Sequence, residues 1–279
     1  MDKQALRGTT AVPLSKPESA AAVRHGAKLL VFGSRLIPWV IAVGIWAAIP
    51  LTGLVSPALV PSPAHVLAKF WELMFQGRLW LDMLLSCERV LLGLFTGILL
   101  AIPVAFVIGW YKPARRMIDP LINFFRSLPP IALIPLVIVY FGIGEFAKVV
   151  MLFYAAFFSG VIVMYEGIVQ TNPIFIRVAR TLGATDGEIF RRVIVPLSLP
   201  HVLTAMRVAL GIAWATLVAS ELIAAQKGLG AVIQNASNYF QIDTIYVGII
   251  CIGLLALTMD FILRRLTARL LSWQERIES

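Results

Sequence analysis

Residues 171–196 read TNPIFIRVARTLGATDGEIFRRVIVP. Thr171-Asn172-Pro173 sets a cap-capable side chain before a proline at the first helical position, which starts a helix. Phe175, Val178, Ala179 and Leu182 follow at i, i+3, i+4 and i+7 as one apolar stripe, with Arg177, Arg180 and Thr181 on the other side. Gly183 comes directly after the stripe and can close the helix in the left-handed conformation. Thr185-x-x-Glu188 is a capping box. It opens a second short helix holding Ile189, Phe190 and Val193, with Arg191 and Arg192 exposed and Pro196 as its stop. The stretch therefore predicts a helix–glycine–helix elbow with an apolar stripe and a basic face. Two uses fit that pattern: an amphipathic loop resting on a membrane surface, or a docking element for a protein partner.

The chain around the elbow decides what kind of molecule carries it. Of 279 residues, 59% are hydrophobic and 14% charged, against roughly 45–50% apolar and about 25% charged in soluble domains. Disorder, a nucleic-acid tail and an ordinary soluble enzyme are excluded on that balance. A bilayer span takes about 20 mostly apolar residues. Residues 197–225 are apolar except for Arg207 and Glu221, and 149–165 are uncharged. Further runs lie at 36–55, 90–111, 127–144 (led in by 119–126) and 244–263, the last interrupted only by Asp260. None alternates with period two, so a β-barrel does not fit. The expected fold class is an all-α polytopic membrane protein with six transmembrane helices.

The net charge of +9 is a topology signal. Seventeen of the 24 Lys and Arg residues fall in the N-terminal tail, the second and fourth connections and the C-terminal tail; four fall on the other side. This follows the positive-inside rule and predicts cytoplasmic termini. The first 35 residues lack an apolar run with a small-residue cleavage site, so no secretory signal is expected. Residues 62–82 are amphipathic and read as an external interfacial helix with Trp71 and Trp80 as anchors. Gly93 and Gly97 form GxxxG, and Ala209/Ala213 and Gly211/Ala215 form small-xxx-small pairs, spacings that permit close helix packing. The expected layout is a cytoplasmic tail (1–35), a first helix with the external segment (36–81), a core with five helices and the 167–196 loop (82–266), and a cytoplasmic tail (267–279).

Chemistry of other kinds is missing from the sequence. Cys87 and Cys251 make no disulfide framework, and His25, His65 and His201 have no metal-ligand spacing, so no metal, cofactor or catalytic residue is expected. No G-x-x-x-x-G-K-[ST] and no G-x-S-x-G occurs. A membrane-embedded enzyme lacks its reactive cluster, and a secondary carrier lacks the internal repeat expected of many carriers. Active transport by this chain would draw its energy from a partner or an ion gradient.

At the elbow the sequence resembles the inner-membrane permeases of binding-protein-dependent ABC importers. Those carry Glu-Ala-Ala, three residues, Gly, nine residues, then Ile-x-Leu-Pro. Here the aligned residues are Arg177-Val178-Ala179, Gly183 and Val193-Ile194-Val195-Pro196. Spacing matches throughout; Ala179, Gly183 and Pro196 match by identity, while Arg177 replaces the glutamate and Val178 the first alanine. Arg126-Ser127-Leu128-Pro129-Pro130 with Phe141-Gly142-Ile143-Gly144 is similar to the sulfonate/nitrate/taurine branch. So are Glu221 to Ala225 with Gly228-Leu229-Gly230, and Ser272 to Glu275. The resemblance runs from about Asp82 to the C-terminus. It implies a type I ABC importer permease fold without its own ATPase site, in the bacterial inner membrane. The implied partners are an ATP-binding subunit dimer, a second permease copy and an external substrate-binding protein, with no nucleic acid. It further implies ATPase coupling through Arg177, Val178, Ala179, Arg180, Gly183, Ala184, Glu188, Arg191 and Pro196. The implied cargo is a small organic anion, taurine or another alkanesulfonate, with nitrate, a thiamine-precursor pyrimidine and an aromatic carboxylate as alternatives.

Ionisable residues within spans cost at least ~2.5–3.5 kcal/mol on insertion scales and are functional candidates. Arg207, roughly mid-span, and Glu221 are candidates for the substrate path or its gate; the alternative is that Arg207 pairs with Glu221 or Asp260 in the bundle. Arg126, Ser127, Pro129 and Pro130 form either a pathway element or a plain kink, because two prolines break a helix and irregular backbone at membrane depth lines cavities. Arg89, with Ser86 near the external end of the second span, is expected to snorkel.

Overall fold

The computed structural model describes residues 36–53, 56, 58–224 and 226–271. These fall into two compact units, divided after Pro63. In the first, α1 (Leu36–Thr52) is an apolar helix whose last turn, Ile49–Thr52, tightens to 3₁₀ and ends at Gly53 with φ 70°. The Trp46 indole N–H donates to the Pro61 carbonyl at 3.0 Å.

The second unit holds α2 (Pro63–Phe75), α3 (Arg78–Trp110), α4 (Lys112–Ser127), α5 (Pro130–Phe141) and α6 (Glu145–Val169). The elbow follows as α7 (Pro173–Thr181) and α8 (Asp186–Ile189), then α9 (Val195–Ala224), α10 (Leu229–Asn238) and α11 (Ile242–Leu270). Four helical stretches are long and apolar enough to cross a membrane: Arg78–Trp110, Glu145–Val169, Asp186–Ile223 and Ile242–Leu270.

The core is the three-helix contact of α3, α6 and α9. Val90, Gly93, Leu94, Gly97, Ile98 and Ala101 repeat at three- and four-residue steps and are buried along α3. Gly93 and Gly97 face α6: a Cβ at Gly93 would overlap Leu152, and one at Gly97 would lie 2.7 Å from the Ala156 Cβ. The GxxxG pair thus allows the backbone approach that its spacing predicts. Ala205, Ala209 and Ala213 bury the matching stripe of α9, whereas Gly211 and Ala215 are exposed. On α11 the residues Ile249, Leu254, Leu257 and Phe261 stay exposed, as suits an outer helix facing hydrocarbon.

One expectation is sharpened and one corrected. First, the third span breaks where its two prolines predict, and the break is nearly a right angle: α4 and α5 meet at a 94° bend. Leu128 and Pro129 are extended between them (ψ 118° and 128°), because each precedes a proline whose ring bars the preceding residue from the helical region. At 1.5 Å per residue, the 12-residue α5 is about 18 Å long, short of a hydrocarbon core of ~30 Å. The described residues thus hold four full-length apolar helices, a fifth span if the bent pair counts as one, and the shorter α1. Second, Pro196 does not stop the elbow helix. A π turn at Phe190–Ile194, with Val195 N–H donating to the Phe190 carbonyl, joins α8 to α9, and the missing proline amide falls where the ladder is already irregular.

Candidate functional site

The elbow is held by its own short-range bonds. Asn172 Oδ1 accepts from the Ile174 amide at 3.0 Å and Pro173 takes the first helical position. Gly183 sits at φ 81°. Its amide donates to Arg180 O and that of Ala184 to Ala179 O, both at 3.0 Å, the paired closing bonds of a Schellman turn. The capping box forms as read: Thr185 N donates to Glu188 Oε2 at 3.0 Å and Glu188 N to Thr185 Oγ1 at 3.4 Å. Arg180 Nη2 bonds Asp186 Oδ1 at 3.1 Å across the turn.

Its root is buried and its tip is open. Ile189 and Ile194 are buried, and the Phe190 ring meets Phe106 and Trp110 edge-on at 5.6 and 5.7 Å. The apolar stripe divides. Ala179, one member of the stripe, turns inward with Ile176 and Ala184 against the core; Ile176 had no assigned part. Phe175, Val178 and Leu182 stay exposed, Leu182 at 81%. Arg177, Arg191 and Arg192 are exposed as well.

At the opposite end of α9 lies a buried polar clamp. Glu221 is fully buried and Arg89 is 3% exposed. Arg89 Nη1 bonds Glu221 Oε1 and, at 2.8 Å, the Lys227 carbonyl. Its Nε and Nη2 grip Glu145, whose Oε1 also accepts from Lys148 Nζ at 2.9 Å. Ser86 Oγ donates to Glu221 at 2.9 Å and accepts from the Leu229 amide at 3.0 Å. Gly230 N donates to Glu221 Oε2 at 2.8 Å, and Gly228 N to Asp82 Oδ1 at 2.7 Å. Gly228 has φ 117°, and a Cβ there would lie 2.5 Å from both Arg89 Nη1 and Glu221 Oε1. Only glycine lets the chain close over the ion pair.

Arg89 therefore does not snorkel, because two carboxylates from α6 and α9 hold it inside. The sequence did carry a signal: Asp82, Ser86 and Arg89 are spaced i, i+4 and i+7, a polar stripe on an apolar helix.

The other singled-out residues are not gathered. Arg207 Nε bonds Asp260 Oδ1 at 3.0 Å, and Arg264 takes Asp260 Oδ2 at 2.6 Å, so of its two candidate partners Arg207 pairs with Asp260. Arg126 is exposed at the last turn of α4. Ser127 Oγ donates back to Asn123 O at 2.7 Å, and the Tyr154 hydroxyl donates to Phe125 O just before the break. Pro129 and Pro130 form the break itself.

Residues 93–272 match the family described as binding-protein-dependent transport system inner membrane component. A probable ABC transporter permease protein of Brucella abortus (strain 2308) is 45% identical over 90% of this chain and 99% of its own length. The chain belongs to this permease family. The taurine transport system permease protein of Escherichia coli (strain K12) is 34% identical to the permease over 84% of this chain and 87% of its own. A nitrate import permease protein of Synechococcus elongatus is 28% identical, covering 87% and 90%. Within the family the permease falls in the taurine and aliphatic-sulfonate branch. Its fold matches a chain of the MetNI methionine ABC transporter in an inward-facing conformation, with TM-score 0.63, 20% identity and coverage of 70% of this chain and 97% of that one. It is thus a multi-pass inner-membrane component that works with an ATP-binding subunit and a substrate-binding protein.

Proposed function

We propose that this permease imports a small organic anion, taurine or another alkanesulfonate, as a homodimer driven by a separate pair of ATP-binding subunits. The elbow lies on the cytoplasmic side, as do both chain termini, and the clamp lies on the outer side. Arg177 to Arg180, Gly183, Ala184, Glu188, Arg191 and Pro196 make the ATPase-coupling element. Arg126 to Pro130 lie along the substrate path. Arg207 and Glu221 are reassigned to holding the bundle, since each is committed to an internal ion pair.

The observation that carries this reading is the elbow: a rigidly capped turn whose root is buried and whose tip leaves Phe175, Val178 and Leu182 open beside a basic face. A membrane-resting loop needs no such rigidity. Because Asp186–Ile223 runs as one 38-residue helix, about 57 Å long at 1.5 Å per residue, a push at the elbow acts on the outer end as a lever. The test is uptake of labelled taurine by vesicles holding the permease and its ATP-binding subunit, with the binding protein supplied. ATP-dependent uptake that Gly183→Pro abolishes is expected. Uptake that persists without the ATP-binding subunit overturns the coupling; nitrate competing better than taurine overturns the cargo.

A further inference from the structure

The last turns of α3 and the root of the elbow enclose a groove of about 720 Å³. Ile102, Phe106 and Trp110 recur four apart along one wall, and Gly187, Phe190 and Val195 line the other. Ile102 to Trp110 rises about 12 Å at 1.5 Å per residue and belongs to a stretch long and apolar enough to cross a membrane. That rise is close to one leaflet's share of a ~30 Å hydrocarbon core. Pro103 and Val107 are exposed on the same flank, so the groove faces hydrocarbon, where a water-soluble partner has no access. A Cβ on Gly187 would meet nothing within 4 Å; the slot is open space and not a seam of packed side chains. Trp110 ends α3 and Asp186 opens α8, so the polar groups gather at the elbow end. Asp186 is the one charged residue lining the groove. It is exposed, and only its Oδ1 is taken, by Arg180 Nη2. The half-buried Trp110 indole N–H has no acceptor among the described residues, although such a group usually finds one. An accessible acceptor and an unmet donor thus stand at the depth where interfacial aromatics meet lipid headgroups, above an apolar slot.

We propose that the groove seats one phospholipid with a primary-ammonium headgroup, of the phosphatidylethanolamine class. An acyl chain lies along Phe106 and Ile102, the phosphate accepts from the Trp110 indole N–H, and the ammonium donates to Asp186 Oδ2. The acidic lining group selects against an anionic headgroup that brings no cation, and a quaternary ammonium has no N–H to give it. The reading needs only that α3 spans the bilayer; neither the cargo nor the coupling role enters it. Because the Phe190 ring meets Phe106 and Trp110 in the same groove, the lipid rests against the joint that carries the elbow.

The test is native mass spectrometry of the purified permease with its ATP-binding subunit, released from detergent after titration with phosphatidylethanolamine, phosphatidylcholine or phosphatidylglycerol of matched chains. One phosphatidylethanolamine per permease chain is expected, held about tenfold or more tighter than the other two. Asp186→Asn should remove that preference, and Gly187→Phe, which fills the slot, should remove the retained lipid itself. Both positions are exposed, so neither substitution touches the core. Equal retention of the three lipids, or phosphatidylglycerol held tightest, overturns the headgroup assignment; retention that survives Gly187→Phe overturns the seat. If a second permease copy or the ATP-binding subunit fills the groove instead, the native chain retains no lipid and Gly187→Phe splits that partner from the complex, which overturns the proposal. Lipid retention is read without transport, so its failure leaves the proposed function untouched.

Discussion

The two ends of α9 are built on opposite terms. At the clamp the charged groups of Arg89 and Glu221 are withdrawn from solvent and met by partners from α3, α6, α9 and the 226–230 segment. At the elbow the polar bonds are spent on shaping the turn, and the large apolar groups are left outside. Closure and openness call for different evidence: substitutions at the clamp should cost folding, while substitutions at the elbow tip should cost association and leave folding alone.

The largest break in that contrast is Glu221→Leu. Removing one member of a buried ion pair leaves the other uncompensated, at about 3–5 kcal/mol. Thermal unfolding of the purified chain should shift down steeply, with less protein in the membrane. Adding Arg89→Leu should recover part of the loss, because the stranded charge goes with it. A single variant as stable as the native chain would mean the clamp is ornamental.

Gly228→Ala comes next. It sets a methyl against both charged groups at a backbone angle that L-residues avoid, and strain of this kind costs of order 1–3 kcal/mol. The same melting measurement reads it, and Gly211→Ala, with open space around its Cα, is the control that should not move.

At the elbow, Val178→Asp and Leu182→Ser should leave melting within about 0.5 kcal/mol of native, since both side chains are exposed. Copurification of the ATP-binding subunit should weaken by about 1–2 kcal/mol for an apolar anchor of that kind. Destabilised chains with intact association would reverse the assignment of the two ends.

The same contrast explains what could be read in advance. The elbow was legible to the individual cap because its determinants are local: Asn172 acts two residues away, Thr185 and Glu188 three. The spans were legible as apolar runs. The only local sign of the clamp is the polar stripe of Asp82, Ser86 and Arg89, whose partners lie 56 to 146 positions away. Arg89 viewed alone near a span end looks like a snorkelling side chain; only the packing of α3 on α6 and α9 brings Glu145 and Glu221 to it. The bend at Pro129-Pro130 was visible as a break but not as a right-angled one, because its angle depends on what α4 and α5 pack against. Pro196 misled for the converse reason: a proline ends a regular helix, and a π turn removes the regularity.

The smallest effect separates two roles for one residue. Arg180 and Asp186 form an exposed pair, 62% and 71% accessible, and such pairs contribute about 0.2–1 kcal/mol. If the bond matters only as a brace across the Gly183 turn, Arg180→Ala and Asp186→Ala should lower melting slightly and equally, and association equally little. If Arg180 instead serves the partner, it must leave Asp186 on docking. Arg180→Ala then weakens association of the ATP-binding subunit, while Asp186→Ala, which frees the guanidinium beforehand, strengthens it. Opposite signs from the two ends of a single salt bridge place the basic face in the interface, and equal signs place it in the fold.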